Sequence, residues 1–222
     1  MVSLRAKNDV LSGVKLLISG FEPFAGESLN PSMALLEVLA RTRATIDDVC
    51  GVELHTVLLP VVRVVADELM VATIDELAPS HVLMFGEAAG RANITPERVA
   101  INVDDYRIAD NAGAQPRGEA IVDDAPVGYF STLPIHSMVA ALHEQGLAAS
   151  VSNSAGTYLC NRVFYRTMHH LATAERATRA GFVHLPYLQE QVHDKPQVTP
   201  CMSLTELTKA ATLLINEIAE SG

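Results

Sequence analysis

Short apolar runs alternate with longer amphipathic stretches along this chain. The mainly apolar runs predict buried strands over residues 14–19, 52–59, 81–85, 98–103, 147–152 and 181–185. Between them, apolar residues that recur every three or four positions predict helices over 31–43, 60–77, 135–145, 157–173 and 203–220. This alternation predicts a single α/β domain with a mainly parallel, twisted sheet and helices on both of its faces.

The helix ends carry local signals of their own. Asn30 followed by Pro31 predicts the cap and first turn of the first helix. Ser203 and Glu206 form a capping-box pattern at the start of the last one. A polar loop over 104–134 interrupts the alternation, but no repeat, low-complexity tract or linker indicates a second domain.

The composition argues against several classes of function. Sixteen Lys and Arg against 26 Asp and Glu give a formal net charge of −10, and an acidic chain without basic clusters is a poor candidate for binding nucleic acid or an anionic membrane. No run approaches the roughly 18–20 apolar residues of a membrane span, and the run at 14–18 is too short for a signal peptide. We therefore expect a cytoplasmic protein.

Three cysteines without a CxxC pair indicate neither a disulfide framework nor a zinc site. Cys50 and Cys201 have the context of packing residues. Cys160 differs, because it follows a small, turn-forming sequence and precedes a predicted helix. A thiol at a helix N-terminus meets unpaired N–H groups and the positive end of the helix dipole, which both favour the thiolate. Cys160 is therefore a candidate nucleophile, and the same amides are a candidate oxyanion site.

Two other segments supply the partners that a thiolate needs. His184 ends an apolar run, which places its imidazole at the sheet edge where ligand sites gather. Glu97 immediately precedes an apolar run and is a candidate to orient a histidine; the competing interpretation is a salt bridge with Arg91 or Arg98. Together Cys160, His184 and Glu97 predict a triad of nucleophile, general base and acid, and orienting carboxylate.

Other interpretations of the same sequence remain open at this point. The segment SNSAG at 152–156 imitates a serine nucleophile elbow but lacks the first glycine of GxSxG. The aromatic residues of GFEPFAG at 20–26 either form apolar walls or pack into the core, and no phosphate-binding loop is present. The polar loop contains five aspartates that either form a metal site or are simply solvated, namely Asp104, Asp105, Asp110, Asp123 and Asp124.

Several long segments resemble pyroglutamyl peptidase I, also called pyrrolidone-carboxylate peptidase, a family of cysteine peptidases. They are GFEPFAGESLNPS at 20–32, GRANITPERVAINVDDYRIADNAGAQP at 90–116, YFSTLPIHSMVAAL at 129–142, VSNSAGTYLCN at 151–161 and GFVHLPYLQEQ at 181–191. The resemblance extends from Lys15 to the final helix. It implies a cysteine omega-peptidase that removes an N-terminal pyroglutamyl residue from peptides and proteins through a thioester, without metal or cofactor, and a homodimer or homotetramer.

The resemblance also assigns roles to individual residues. The family's nucleophile falls on Cys160, its histidine on His184 and its active-site glutamate on Glu97. It further implies that Phe21 and Phe24 line the pyrrolidone pocket, that Asn30 positions that loop or the ligand, that Arg91 supports the catalytic site, and that the backbone of Tyr158 and Leu159 approaches the substrate ring.

The chain departs from the family pattern at a few positions. Glu87 stands where the family often has glutamine and adds a negative charge near the pocket. Ala25 and Ala89 replace glycines, which requires a negative φ or a small strain, and Gln189 replaces a proline. The first dozen or so residues lie outside the resemblance, so we expect a tail over 1–13 and one domain over 14–222.

Two alternative functions follow from these observations. One is a non-catalytic module of the same fold that binds pyroglutamyl peptides, in which the altered Glu87 loop or the oligomeric state has silenced the chemistry. The other is a nucleoside phosphorylase-like enzyme, because the family's sheet architecture is shared with such enzymes. The acidic loops and the missing phosphate signature disfavour the second alternative.

Overall fold

A computed structural model of the chain describes residues 13–221. Its strands are β1 (Val14–Phe21), β2 (Val52–Leu59), β3 (His81–Glu87), β4 (Thr95–Pro96), β5 (Val99–Ile101), β6 (Gly128–Phe130), β7 (Arg179–Leu185), β8 (Tyr187–Leu188) and β9 (Cys201–Met202). Its helices are α1 (Pro31–Arg41), α2 (Arg43–Cys50), α3 (Arg63–Leu77), α4 (Ile135–Glu144), α5 (Leu159–Thr173) and α6 (Leu204–Glu220), with a 3-10 helix at Gln189–Val192. Apart from Gly13, the predicted tail lies outside the described residues.

Five strands form the central sheet in the order β2-β1-β3-β7-β4. The first four are parallel, and the short β4 pairs antiparallel to β7. The chain runs outward from β1 in both directions, so a crevice opens beside β1 at the carboxyl ends of the strands. The prediction of an α/β fold with a mainly parallel sheet is confirmed.

Both faces of the sheet are buried, and alternate residues of each strand pack on opposite sides. One set faces α1, α2, α4 and α6; its strand members include Leu16, Ile18, Leu83, Phe85 and Val183. The other set faces α3 and α5; its strand members include Leu17, Val82, Met84 and Phe182. By the same alternation Gly86 and His184 face α5, which is the helix that carries Cys160.

Both predicted helix caps are present. The Asn30 side chain accepts a hydrogen bond from the Ser32 amide at 2.9 Å. The Ser203 hydroxyl accepts one from the Glu206 amide at 3.2 Å, and the Glu206 carboxylate accepts one from the Ser203 amide at 2.8 Å. None of the helices within residues 13–221 is long and apolar enough to cross a membrane.

Some predicted elements are wrong in extent or in pairing. The predicted strand 98–103 shortens to β5, which pairs with β6 in a separate two-stranded sheet. The segment 147–152 makes only isolated bridges to residues 94 and 97. The predicted helix 31–43 ends at Arg41, and α2 follows it; α2 buries only Ile46 and Cys50, too few positions for a recognisable period. Helix α3 begins at Arg63 rather than at Pro60 because Val62 is extended.

A buried ion network ties α5 to α3 and to the polar loop. Arg162, two residues after Cys160, donates from Nε to Asp67 Oδ2 at 2.8 Å and from Nη1 to Asp104. Burial raises the pKa of Asp67 to about 6, although the charge of Arg162 opposes that shift. The Arg162 side chain is 7% exposed and those of Asp67 and Asp104 are 4% and 0% exposed, so each charge depends on its partners.

Replacing Arg162 by methionine should lower the free energy of unfolding by about 3–5 kcal/mol at neutral pH, because Asp67 and Asp104 lose their shared counter-ion inside the protein. The loss should shrink on acidification, since both carboxyls then bind a proton in the folded state. Urea unfolding of the variant and of wild type measures this difference in the free energy of unfolding. Arg41→Met is the control: its pair with Glu37 is 73% and 58% exposed, so its loss should stay under about 1 kcal/mol. Equal losses in the two variants would contradict the account.

Candidate active site

A cavity of about 270 Å³ opens at the carboxyl ends of β1, β3 and β7. It is lined by Phe21, Phe24, Asn30, Val61, Glu87, Ala88, Ala89, Arg91, Ala155, Gly156, Tyr158, Leu159, Cys160 and His184. Every predicted site residue except Glu97 therefore lines this one cavity, and Glu97 lies directly behind His184. The cavity's size suits a small group rather than a long side chain.

Cys160 is the second residue of α5. Tyr158, the N-cap residue, makes no side-chain cap, and within residues 13–221 the amides of Leu159 and Cys160 have no protein acceptor outside the helix. These amides are therefore available to an oxyanion at the cavity floor. Gly86 makes room for the thiol, because a Cβ at that position would lie 2.8 Å from Cys160 Sγ and 2.7 Å from Phe182 Cζ.

The helix N-terminus is one of several influences on the Cys160 thiol. Burial first, and then the charges of Glu87 and Glu97, raise the pKa of Cys160 to about 12; Arg91 and the backbone amide act in the opposite direction. Burial also lowers the pKa of His184, against the raising effect of Glu97. Both shifts favour the neutral thiol and the neutral imidazole over an ion pair.

His184 and Glu97 form a buried hydrogen-bonded pair. His184 Nδ1 lies 2.7 Å from Glu97 Oε1, and their side chains are 5% and 0% exposed. A neutral imidazole that donates Nδ1–H to the carboxylate keeps Nε2 as its acceptor. Burial acts to raise the pKa of Glu97, but its hydrogen bonds, that with His184 foremost, hold it below the ordinary value. Glu97 is thus an ionised carboxylate that orients the ring.

Arg91 contacts the same carboxylate oxygen of Glu97 as His184 does. Its Nη1 is 2.6 Å from Glu97 Oε1 and 2.6 Å from Thr95 Oγ1, and its Nη2 donates to the Ser154 carbonyl at 3.0 Å. The histidine and salt-bridge interpretations of Glu97 therefore both hold. Arg98 does not take part, because its Nε donates to Asn153 Oδ1 at 2.8 Å. Arg91 thereby joins the orienting carboxylate to the segment that leads to Cys160.

Aromatic side chains form the cavity walls. Phe21 is buried against Phe182, with ring centroids 6.4 Å apart, and Phe24 packs on Tyr158 at 5.9 Å. Tyr158 also meets Tyr106 edge-on at 4.6 Å. These contacts fix the ring planes on two sides of the cavity and give it apolar surfaces.

Asn30 holds the loop that carries these aromatic residues. Its Oδ1 accepts from the Ser32 hydroxyl at 2.7 Å as well as from the Ser32 amide, and its Nδ2 donates to the Glu22 carbonyl at 3.1 Å. The same loop contains Ala25 at φ 56°, a left-handed conformation that costs an alanine about 1–2 kcal/mol. Ala89, by contrast, does not have a positive φ. Only the first of these two glycine replacements is strained.

Sequence reasoning missed part of the cavity. Val61 and Ala155 line it without any distinguishing pattern. Glu87 was noted as a charge near the pocket, and the structure adds its partner: Glu87 Oε2 accepts a hydrogen bond from Gln191 Nε2 at 2.8 Å, and Gln191 also donates to the Leu29 carbonyl at 3.2 Å. No local signal links positions so far apart in sequence.

The acidic loop shows no grouping suited to a metal. Among residues 13–221, no cluster of three or more His, Cys, Asp or Glu side chains could hold an ion. Asp104 pairs with Arg162 and Arg63. Asp110 accepts hydrogen bonds from backbone amides, including that of Arg63 at 2.9 Å.

Comparisons of sequence and of structure relate this chain to one family. A family profile described as pyroglutamyl peptidase matches residues 14–221. A pyrrolidone-carboxylate peptidase of Vibrio vulnificus (strain YJ016) is 46% identical over 90% of this chain and 91% of its own. A pyrrolidone-carboxylate peptidase of Thermococcus onnurineus is 45% identical over 91% of this chain and 97% of its own. The crystal structure of Bacillus amyloliquefaciens pyroglutamyl peptidase I superposes with a TM-score of 0.86 at 35% identity, covering 93% of this chain and 97% of that one.

Proposed function

This chain belongs to the pyroglutamyl peptidase family, and on that premise we propose that Cys160, His184 and Glu97 hydrolyse the bond after an N-terminal pyroglutamyl residue. The chain is a cysteine-type hydrolase. The observation that carries the proposal is the buried Glu97–His184 pair, whose histidine lines the same small, aromatic-walled cavity as Cys160. A nucleophile, a base and an orienting carboxylate are together the parts that covalent catalysis of acyl transfer needs.

Because burial favours the neutral thiol and the neutral imidazole, proton transfer accompanies attack. His184 Nε2 takes the proton from Cys160 Sγ while the sulfur bonds to the pyroglutamyl carbonyl carbon. The Leu159 and Cys160 amides stabilise the oxyanion of the tetrahedral intermediate. The imidazolium, held by Glu97, then protonates the departing amine, which leaves a thioester. Water, deprotonated by His184, hydrolyses the thioester and restores the thiol.

Substrate selection follows from the cavity's walls. A pyroglutamyl residue is a neutral lactam ring that has no free ammonium group. Phe21 and Phe24 offer such a ring flat apolar surfaces, and polar groups at the cavity edge can pair with its amide. An uncyclised N-terminus would bring a poorly solvated ammonium ion into this aromatic site, at a cost in binding free energy.

The test compares release of a fluorescent amine from three amides of the same amine. The pyroglutamyl amide should be cleaved with a kcat/KM at least about 100-fold above that of the prolyl amide, which has a ring of equal size but a charged nitrogen, and of the open-chain glutaminyl amide. Equal cleavage of all three would contradict the assignment of specificity. No cleavage by folded, reduced protein would favour the non-catalytic binding module, which no present observation supports.

The proposal includes a cytoplasmic location. Cys50, Cys160 and Cys201 are all free thiols, a state that a reducing compartment maintains. Fractionation of cells that produce the chain tests this directly: recovery with cytosolic markers supports it, and recovery outside the cytoplasm contradicts it.

The proposal also includes a homodimer or homotetramer. Apolar side chains on the edge strand β2 and on α3 are exposed, namely Leu58, Val64, Val65 and Leu69. A patch of this kind supports association between copies. Light scattering of the purified chain should give the mass of two or four copies, and a monomer at all concentrations would contradict the proposal.

A further inference from the structure

Glu87 is a cavity side chain that the mechanism above does not use. It ends β3, directly after the glycine that makes room for Cys160 Sγ. It is 9% exposed and lines the same cavity as Cys160. Within residues 13–221, the hydrogen bond from Gln191 is the only one that its carboxyl group receives. A neutral amide gives a buried carboxylate only weak compensation.

The cations near Glu87 are already paired. Lys195 Nζ lies 2.6 Å from Glu27 Oε1, and Arg91 Nη1 lies 2.6 Å from Glu97 Oε1. The titratable and charged groups around Glu87, taken over all packed elements, are Glu27, Arg91, Glu97, Cys160, His184, Tyr187 and Lys195. Ionisation of Glu87 therefore adds a negative charge to the cavity without a bonded counter-ion.

We propose that Glu87 is a positioning residue that sets the reactivity of Cys160: a protonated Glu87 permits a thiolate in the cavity, and an ionised Glu87 opposes it. The inference rests on the proposed role of Cys160 as the nucleophile. It makes the reactivity of the cavity's thiol depend on pH through a second group that lines the same cavity.

The pKa shifts of the two groups agree with an effect of Glu87 on Cys160. Burial raises the pKa of Glu87 to about 6, while the Gln191 hydrogen bond acts to lower it. The charge of Glu87 is the largest contribution after burial to the raised pKa of Cys160. Below about pH 6 the Glu87 carboxyl is neutral and no longer raises the pKa of Cys160 by its charge. Above that pH the negative charge of Glu87 is present and disfavours a thiolate at Cys160.

The test is the rate of Cys160 alkylation by chloroacetamide, a neutral reagent whose approach does not depend on charge. The rate is followed by mass analysis of the Cys160 peptide between roughly pH 5 and pH 8.5. Wild type and Glu87→Gln should react alike at the acid end. Above about pH 6 the variant should be alkylated faster than wild type. The ratio of the two rates should reach roughly tenfold near pH 8, as expected for two charges in one cavity. With the pyroglutamyl amide as substrate, the kcat/KM of Glu87→Gln divided by that of wild type should change over the same pH range.

Two further variants sharpen the outcome. Glu37→Gln, the same change on the exposed face of α1, should follow wild type at every pH. Gln191→Met removes the hydrogen bond that favours ionised Glu87, so the pKa of Glu87 should rise and the alkylation rate should exceed that of wild type near pH 7. This variant keeps the proposal testable if Glu87→Gln does not fold.

Equal rates for wild type and Glu87→Gln across the pH range would overturn the proposal, as would a difference that persists unchanged at the acid end. Failure of the proposed function is distinguishable, because alkylation requires no turnover. If Cys160→Ala still cleaved the pyroglutamyl amide, the nucleophile assignment would fall while the effect of Glu87 on the thiol could still be measured.

Discussion

Replacing Cys160 by alanine or by serine should reduce cleavage of the pyroglutamyl amide by roughly 10⁴- to 10⁶-fold, as loss of a covalent nucleophile does. Alanine removes the attacking atom. Serine retains a nucleophilic atom, but its hydroxyl is far less acidic than a thiol, and the buried site already disfavours the anionic form even of Cys160. The measurement is kcat/KM for amine release by each variant beside wild type.

The matched control is Cys201→Ser. Cys201 is a free, partly exposed cysteine in β9 and does not line the cavity. This variant should retain wild-type kcat/KM and lose activity to an alkylating reagent as wild type does. If Cys160→Ala kept more than about a hundredth of wild-type activity, the covalent mechanism would be wrong.

The second large effect is expected at Glu97. Glu97→Gln should lower kcat by roughly 10²- to 10⁴-fold with a much smaller change in KM, because an amide no longer fixes the Nδ1–H tautomer or stabilises the imidazolium. The acid limb of the kcat/KM profile should also move to lower pH. Burial lowers the pKa of His184, and Glu97 is the group that raises it, so its removal leaves burial and Arg91 unopposed.

Thr95→Val provides the comparison for Glu97. It removes another hydrogen bond of Arg91 Nη1 but leaves the Glu97–His184 pair in place, so its pH profile should match that of wild type. An unshifted acid limb in Glu97→Gln, with kcat reduced no further than in Thr95→Val, would show that Glu97 acts only through the packing of Arg91.

The sequence predicted the sheet, the cavity edge and the three central residues because each depends on a short local pattern. A buried parallel strand is a mainly apolar run, as in β3, and its carboxyl end is where a ligand site forms. His184 lies near such an end, Cys160 lies at the start of α5, and Glu97 lies next to β7 through β4. The long family-like segments then gave these positions their roles.

The remaining features depend on contacts between distant segments. The sequence of residues 147–152 is typical of a strand, but this segment makes only two isolated β-bridges, to residues 94 and 97. The apolar character of a segment does not show how many partners it pairs with. The helix N-terminus by itself favours a thiolate at Cys160. In the folded chain, burial and two carboxylates from other elements outweigh that effect. Likewise, Gln191 meets Glu87 only because the 3-10 helix folds back over the end of β3.

Rapid acid quenching of wild type during turnover of a pyroglutamyl amide, followed by mass analysis of its peptides, tests the central claim most directly. A thioester survives in acid, so the peptide that contains Cys160 should carry a pyroglutamyl group in wild type, and no peptide should carry it in Cys160→Ala. Attachment of that group to another residue, or steady turnover with no acylated peptide at any quench time, would contradict the assignment of Cys160 as the nucleophile.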